Sequence, residues 1–82
     1  MPANLVIYPN PTIDWVQVRV PEYITANIVE LVNTNGETLV RKEISTGQQT
    51  IDLSLKQFES AVYSIILKEN GKIVQWGRLL KL

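Results

Sequence analysis

The sequence predicts an all-β domain, an immunoglobulin-like antiparallel β-sandwich of about seven short strands, on three observations. Short runs of apolar, β-branched and aromatic residues recur along the chain, several with period-two alternation. Turn signals separate these runs at intervals of roughly ten residues. At 82 residues the chain suits one core, able to bury roughly 60 per cent of the unfolded surface.

The first strand is "LVIY", Leu5 to Tyr8, and the second is "WVQVRV", in which Val16, Val18 and Val20 share one face and Gln17 and Arg19 the other. Between them stands "PNPTID". Pro9 and Pro11 donate no amide hydrogen, and each restricts the residue before it. The segment therefore reads as a stiff corner that cannot join a ladder, with Asn10 and Asp14 placed to accept local backbone hydrogen bonds. "NIVELV" supplies the third strand, with Val29 and Leu31 inward because the other choice would bury Glu30. Asn35-Gly36 then predicts a hairpin into "TLVRKEI", since both residues tolerate positive φ. "STGQQ" is the next turn, and "TIDL" a short strand.

The segment "SLKQFESAVYSIILKENG" supports two readings. Ser54 with Gln57 forms a capping box, and Leu55, Phe58, Val62 and Ile66 recur near helical spacing, which predicts one long helix. The β-branched and aromatic content of "VYSIIL", followed by "ENGK" and "IVQW", predicts instead one helical turn at Leu55 to Phe58, then a strand and a two-residue hairpin. The second reading is preferred. It sets Glu69 opposite Lys72, Leu67 opposite Val74 and Ile65 opposite Trp76. Tyr63, at the mouth of this strand, is either a corner tyrosine or an ordinary core tyrosine.

Composition narrows the chemistry. An apolar fraction of 45% with 20% charged residues is that of a folded domain. Cysteine and histidine are both absent, which excludes disulfides, thiolate sites, histidine-based triads and the commonest metal ligand. No cofactor or metal is expected. Asp14 and Asp52 are the only aspartates, both read as turn caps, and the four glycines fit no phosphate-binding spacing. An enzyme is therefore not expected. Lys68 to Leu82 carries +3 and the rest of the chain −3. Lys72, Trp76, Arg78 and Lys81 would suit nucleic acid only on a chain with net positive charge, and here the net charge is zero. Neither nucleic acid nor a small-molecule substrate is an expected partner. Trp15 and Trp76 could form a carbohydrate-stacking pair, so the alternative function is an immunoglobulin-like or fibronectin-like extracellular module binding carbohydrate or protein.

Four motifs in order carry a resemblance. The opening combines Tyr8, Pro9, Asn10, Pro11 and Asp14 with the alternating Val16 and Val18. Asn33 and Gly36 follow, then Ile51, Asp52, Leu53 and Ser54, and finally Arg78, Leu79, Leu80 and Lys81. Together they resemble the C-terminal sorting domain (type A) of type IX secretion substrates in Bacteroidota, over Tyr8 to Leu82. One position departs: a Gly-Val-Tyr usual in that family is Ala61-Val62-Tyr63 here, which implies a changed turn. The resemblance implies residues 1–4 as an added initiator and linker remnant, and residues 5–82 as the sorting domain. It implies a signal that takes a cargo through the periplasm and the outer-membrane translocon to the cell surface or the medium, with shuttle proteins and a sortase as partners. Sortase cleavage and attachment to anionic lipopolysaccharide commonly follow in such proteins, while some retain the domain. The expected signal-recognition residues are Lys72, Gly77, Arg78, Leu79, Leu80, Lys81 and Leu82, read by strand addition at an exposed edge. Removing Arg78 to Leu82 is expected to block export and leave most of the sandwich folded. The uncharged window Val62 to Leu67, if near an edge, would permit a strand-paired homodimer.

Overall fold

Seven strands follow one another in the computed structural model, which describes residues 5–82: β1 (Val6–Tyr8), β2 (Trp15–Arg19), β3 (Ile28–Val32), β4 (Thr38–Glu43), β5 (Thr50–Ser54), β6 (Ala61–Glu69) and β7 (Lys72–Lys81). The expectation for residues 1–4 lies outside the described residues. The strands form two sheets, ordered β1-β2-β5 and β4-β3-β6-β7, and every strand pair is antiparallel. This is the immunoglobulin-like arrangement with the fourth strand beside the third. β6 and β7, at nine and ten residues, are longer than the short strands expected.

Period-two alternation builds the core. Val16 and Val18 of β2, Val29 and Leu31 of β3, Ile51 and Leu53 of β5, Tyr63, Ile65 and Leu67 of β6 and Leu79 of β7 all point between the sheets and are buried. Leu5, Ile7, Val20, Ile44 and Leu55 complete this core. Val29 and Leu31 are inward as expected, yet Glu30 is also buried, at 7% exposure on the outer face. Lys68 Nζ at 3.2 Å and Arg41 Nε at 3.7 Å neutralise its carboxylate, which lets a charged residue occupy the middle of a sheet.

The long-helix reading of residues 54–71 fails. Phe58 N–H bonds the Leu55 carbonyl at 3.0 Å as a single β-turn, and no helix occurs among the described residues. The strand alternation Tyr63, Ile65, Leu67 faces a second sheet that buries it, and that long-range burial decides against the helical spacing. Ala61 takes an ordinary strand conformation opposite Lys81, so its substitution for glycine requires no unusual backbone there.

Two turns differ in kind. Asn70 (φ 51°) and Gly71 (φ 84°) form the expected two-residue hairpin, with Glu69 opposite Lys72. At the other, only Gly36 has positive φ, and Gly36 N–H bonds the Asn33 carbonyl at 3.1 Å. Asn33 Oδ1 accepts from the N–H groups of Asn35 and Glu37 at 3.0 and 2.9 Å, so Asn33, not Asn35, organises the turn.

The register predicted beyond the Asn70-Gly71 hairpin is corrected. Lys68 faces Ile73 but Leu67 faces Gln75, so Val74 is the extra residue of a bulge. Ile66 then faces Trp76 and Ile65 faces Gly77. An unbroken register would turn Trp76 and Arg78 into the core; the bulge turns Gly77 and Leu79 inward and leaves Trp76, Arg78 and Leu80 outside.

Tyr63 is a corner tyrosine. Its hydroxyl donates to the Glu59 carbonyl four residues upstream, its ring is 3% exposed, and Phe58 packs against it with centroids 6.3 Å apart. Burial, with a smaller contribution from the Glu59 carboxylate, raises its phenol pKa above 10.0. A raised folded pKa means that this stabilisation is complete below the unfolded value, about 10, and is lost as pH rises through the folded value. Tyr63→Phe is expected to cost about 1 kcal/mol at neutral pH by urea unfolding. The gap from the parent should shrink above pH ~10, where only the parent loses the contribution of this phenol.

Candidate recognition surface at the closing strand

Both edges of β7 are occupied along its last third. β6 pairs one edge from Glu69 to Ala61. On the other, Asn10 reaches across with its side chain: Nδ2 donates to the Arg78 carbonyl at 2.9 Å, and Oδ1 accepts from Leu80 N–H at 3.0 Å. The amide thus presents one donor and one acceptor, as a neighbouring strand would. Thr12 continues the contact, donating its N–H to the Leu80 carbonyl at 2.9 Å and accepting from Leu82 N–H at 2.8 Å, in a parallel bridge with Lys81. Thr12 is buried at 2% exposure, and its hydroxyl bonds the Trp15 carbonyl.

This corrects three expectations. The Pro9–Asp14 corner does pair with a strand. Asn10 bonds not locally but 68 and 70 residues away. The edge of Arg78 to Leu82 is not open for strand addition. Pro9 and Pro11, both preceded by cis peptide bonds, lie exposed on this corner. Asp14 does not cap through its carboxylate in this structure; its main-chain carbonyl accepts from Leu55 N–H at 2.7 Å.

The seven expected signal residues divide by position. Lys72 is exposed beside the hairpin turn, nine residues from Lys81 and so about 30 Å away by strand rise. Gly77 and Leu79 face inward. Leu79 is a core residue at 1% exposure, and a Cβ on Gly77 would stand 3.0 Å from Ile7 Cδ1 and 3.1 Å from Leu5 Cβ. Gly77 is therefore where β1 closes onto β7, not a turn glycine. Lys81 is half-buried, whereas Arg78, Leu80 and Leu82 are exposed. The surface available to a partner is thus Arg78, Leu80 and Leu82, joined by Val62 beside Leu80 and by Trp76 beside Ile66.

The remaining motif residues act within the fold. Tyr8 OH donates to Gln17 Oε1 at 2.7 Å, and Gln17 Nε2 donates to Asp52 Oδ1 at 3.3 Å, a chain across the outer face of the first sheet. Asp52 is therefore mid-strand, not a turn cap. Asn33 and Gly36 make the β3–β4 turn, and Tyr63 the corner. Trp15 and Trp76 lie on the outer faces of opposite sheets, which rules out a stacking pair. The sequence reading missed Thr12 as the clasp's backbone element and Glu30 as a buried ion-pair centre. Neither carries a local signal, since the partners of Thr12 on β7 are 68 to 70 residues away.

In comparison with known proteins, the family model described as the secretion system C-terminal sorting domain matches residues 6–80. No curated protein and no solved structure matched the chain.

Substitutions at two positions test this geometry. Asn10→Leu should cost about 1 kcal/mol in urea unfolding, water replacing part of the lost bonding at this exposed site. Amide exchange at Leu80 should quicken selectively, and an unchanged Leu80 amide would contradict the clasp. Gly77→Val should cost about 1–3 kcal/mol by overpacking against Leu5 and Ile7, with Gly77→Ala costing less because a single methyl inserts less volume there.

Proposed function

Because this chain belongs to the family of secretion system C-terminal sorting domains, we propose that it is the address by which a preceding cargo is delivered from the periplasm to the outer-membrane translocon of a type IX system. Membership makes the chain a type IX sorting signal that interacts with the secretion machinery and serves export to the cell surface or the medium. It also indicates a role as an address instead of a catalyst. The finer steps belong to the proposal. Shuttle proteins receive the translocated domain, and a sortase cuts the linker before residue 5 and joins the cargo to anionic lipopolysaccharide.

The match over residues 6–80 carries this reading. The geometry supports it in one respect. Leu5 and Ile7 lie against Gly77, midway along β7, and Thr12 lies beside Lys81, so the chain runs from β1 toward the end of β7 and a cargo joined ahead of β1 enters away from the last residues of β7. Among the exposed residues there, Arg78, Leu80 and Leu82 are assigned to recognition; Gly77, Leu79 and Lys81 position them. Lys72 lies at the wrong end for the same contact and is assigned to solubility of the hairpin.

Truncation is a poor test. Removing Arg78 to Leu82 takes Leu79 from the core and all four hydrogen bonds of the clasp, so lost export would report lost folding. The discriminating experiment fuses the intact chain, through a flexible linker and behind a periplasmic signal peptide, to a fluorescent reporter in a bacterium with an active type IX system. Reporter is expected at the surface or in the medium, and in the periplasm of a strain lacking the translocon. Periplasmic retention in the competent strain, with the domain folded, would overturn the sorting reading.

A further inference from the structure

The outer face of β6 and β7 is more apolar than a solvated sheet surface requires. Register places Val62 beside Leu80 and Ile66 beside Trp76, with Ser64 beside Arg78 between them. Trp76 is 52% exposed and Leu80 39%. The outer face of the other sheet also carries exposed aromatics, but there Tyr8, Gln17 and Asp52 bond one another across the strands. On β6 and β7 the one charge within the apolar strip is Arg78. Among the described residues no carboxylate pairs with it: both ion pairs of the domain belong to Glu30.

The nature of the occupant follows from charge. A second copy docked face to face about a twofold axis through this strip would oppose Arg78 with its own symmetry mate. No free carboxylate on the face answers it, since Glu30 is held by Lys68 and Arg41 and Glu43 lies at the end of the far edge strand. A lipid surface calls for a cluster of cations, and the strip offers a single unpaired one. Backbone pairing is closed off at this end of β7 by Asn10 and Thr12, so recognition there has to use side chains.

We propose that the outer face of the β6–β7 hairpin is the docking surface for a protein component of the secretion machinery, one that presents apolar side chains around a carboxylate which pairs with Arg78. Trp76, Leu80, Val62 and Ile66 supply the apolar contact, and Arg78 fixes the orientation. This rests on the sorting reading and names which part of the domain is read.

The test uses the reporter fusion with Arg78→Glu, Arg78→Lys, Trp76→Ser, Leu80→Ser and, on the opposite outer face, Trp15→Ser. Melting temperatures of the purified chains identify the folded variants. Surface reporter should fall at least about tenfold for Arg78→Glu and Trp76→Ser. It should fall for Leu80→Ser, stay largely intact for Arg78→Lys, and be unchanged for Trp15→Ser. Folded Arg78→Glu and Trp76→Ser chains exported like the parent would overturn the docking surface and leave the sorting reading standing; failure of the parent itself would defeat the sorting reading. Two further measurements also decide against the proposal. One is a concentration-dependent dimer in sedimentation equilibrium that Trp76→Ser abolishes. The other is Trp76-dependent binding of the parent to phosphatidylcholine–phosphatidylglycerol vesicles.

Discussion

The bonding of both edges of β7 along its last third is the constraint on which the rest of this domain depends. A sandwich of 82 residues has a thin core, and its last strand would ordinarily present a row of unpaired backbone groups at an open flank. Here β6 holds one edge, and the Asn10 amide with the Thr12 backbone holds the other. The same corner that brings Asn10 into place leads into β2, and β1, just before it, packs Leu5 and Ile7 over Gly77. The first and last strands thus depend on each other although they belong to different sheets.

Two placements of charge follow from this framework. The Val74 bulge settles which side chains of β7 reach solvent, keeping a guanidinium and an indole out of the core while supplying Leu79 to it. On β3, where alternation sends Glu30 outward into the middle of a four-stranded sheet, Lys68 and Arg41 from the strands on either side compensate it. The opposite flank has its own closure. Lys42 Nζ donates to the Asp52 carbonyl at 2.9 Å, linking edge strands β4 and β5 of the two sheets. β6 lies between β3 and β7 and so offers no edge for a strand-paired dimer.

Local patterns made much of this legible. Alternating valines announced β2, Asn70-Gly71 announced its hairpin, and Tyr63 after a polar turn stood as one of two readings, a corner or an ordinary core tyrosine, because each depends on neighbours within a few residues. What stayed hidden depends on distant partners or on a count. The Val74 bulge adds one residue without any glycine to mark it, and by shifting one register it reversed the assignment of every later β7 side chain. Asn10 looked like a turn residue because its partners lie 68 and 70 positions away. Glu30 looked unburiable because the cations that neutralise it come from two other strands. Gly77 gave no turn signature, since its reason is the close approach of Leu5 and Ile7.

The position of the motif residues bears on what a sorting signal is physically. Asn10, Asn33, Gly36, Asp52 and Tyr63 are each engaged inside the domain, in the clasp, a turn, a cross-strand chain or the corner. Such residues define the shape, and their polar groups are already committed to bonds within it. The exposed side chains Trp76, Arg78 and Leu80 lie on a strand that β6 bonds on one edge and Asn10 and Thr12 bond on the other near its end. A strand already bonded in this way has little backbone ordering left to lose on binding, so a small set of side chains can discriminate without a large interface. In this chain the residues that carry the family resemblance and the residues proposed to be read are therefore largely different sets, with Arg78 and Leu80 the points where they meet.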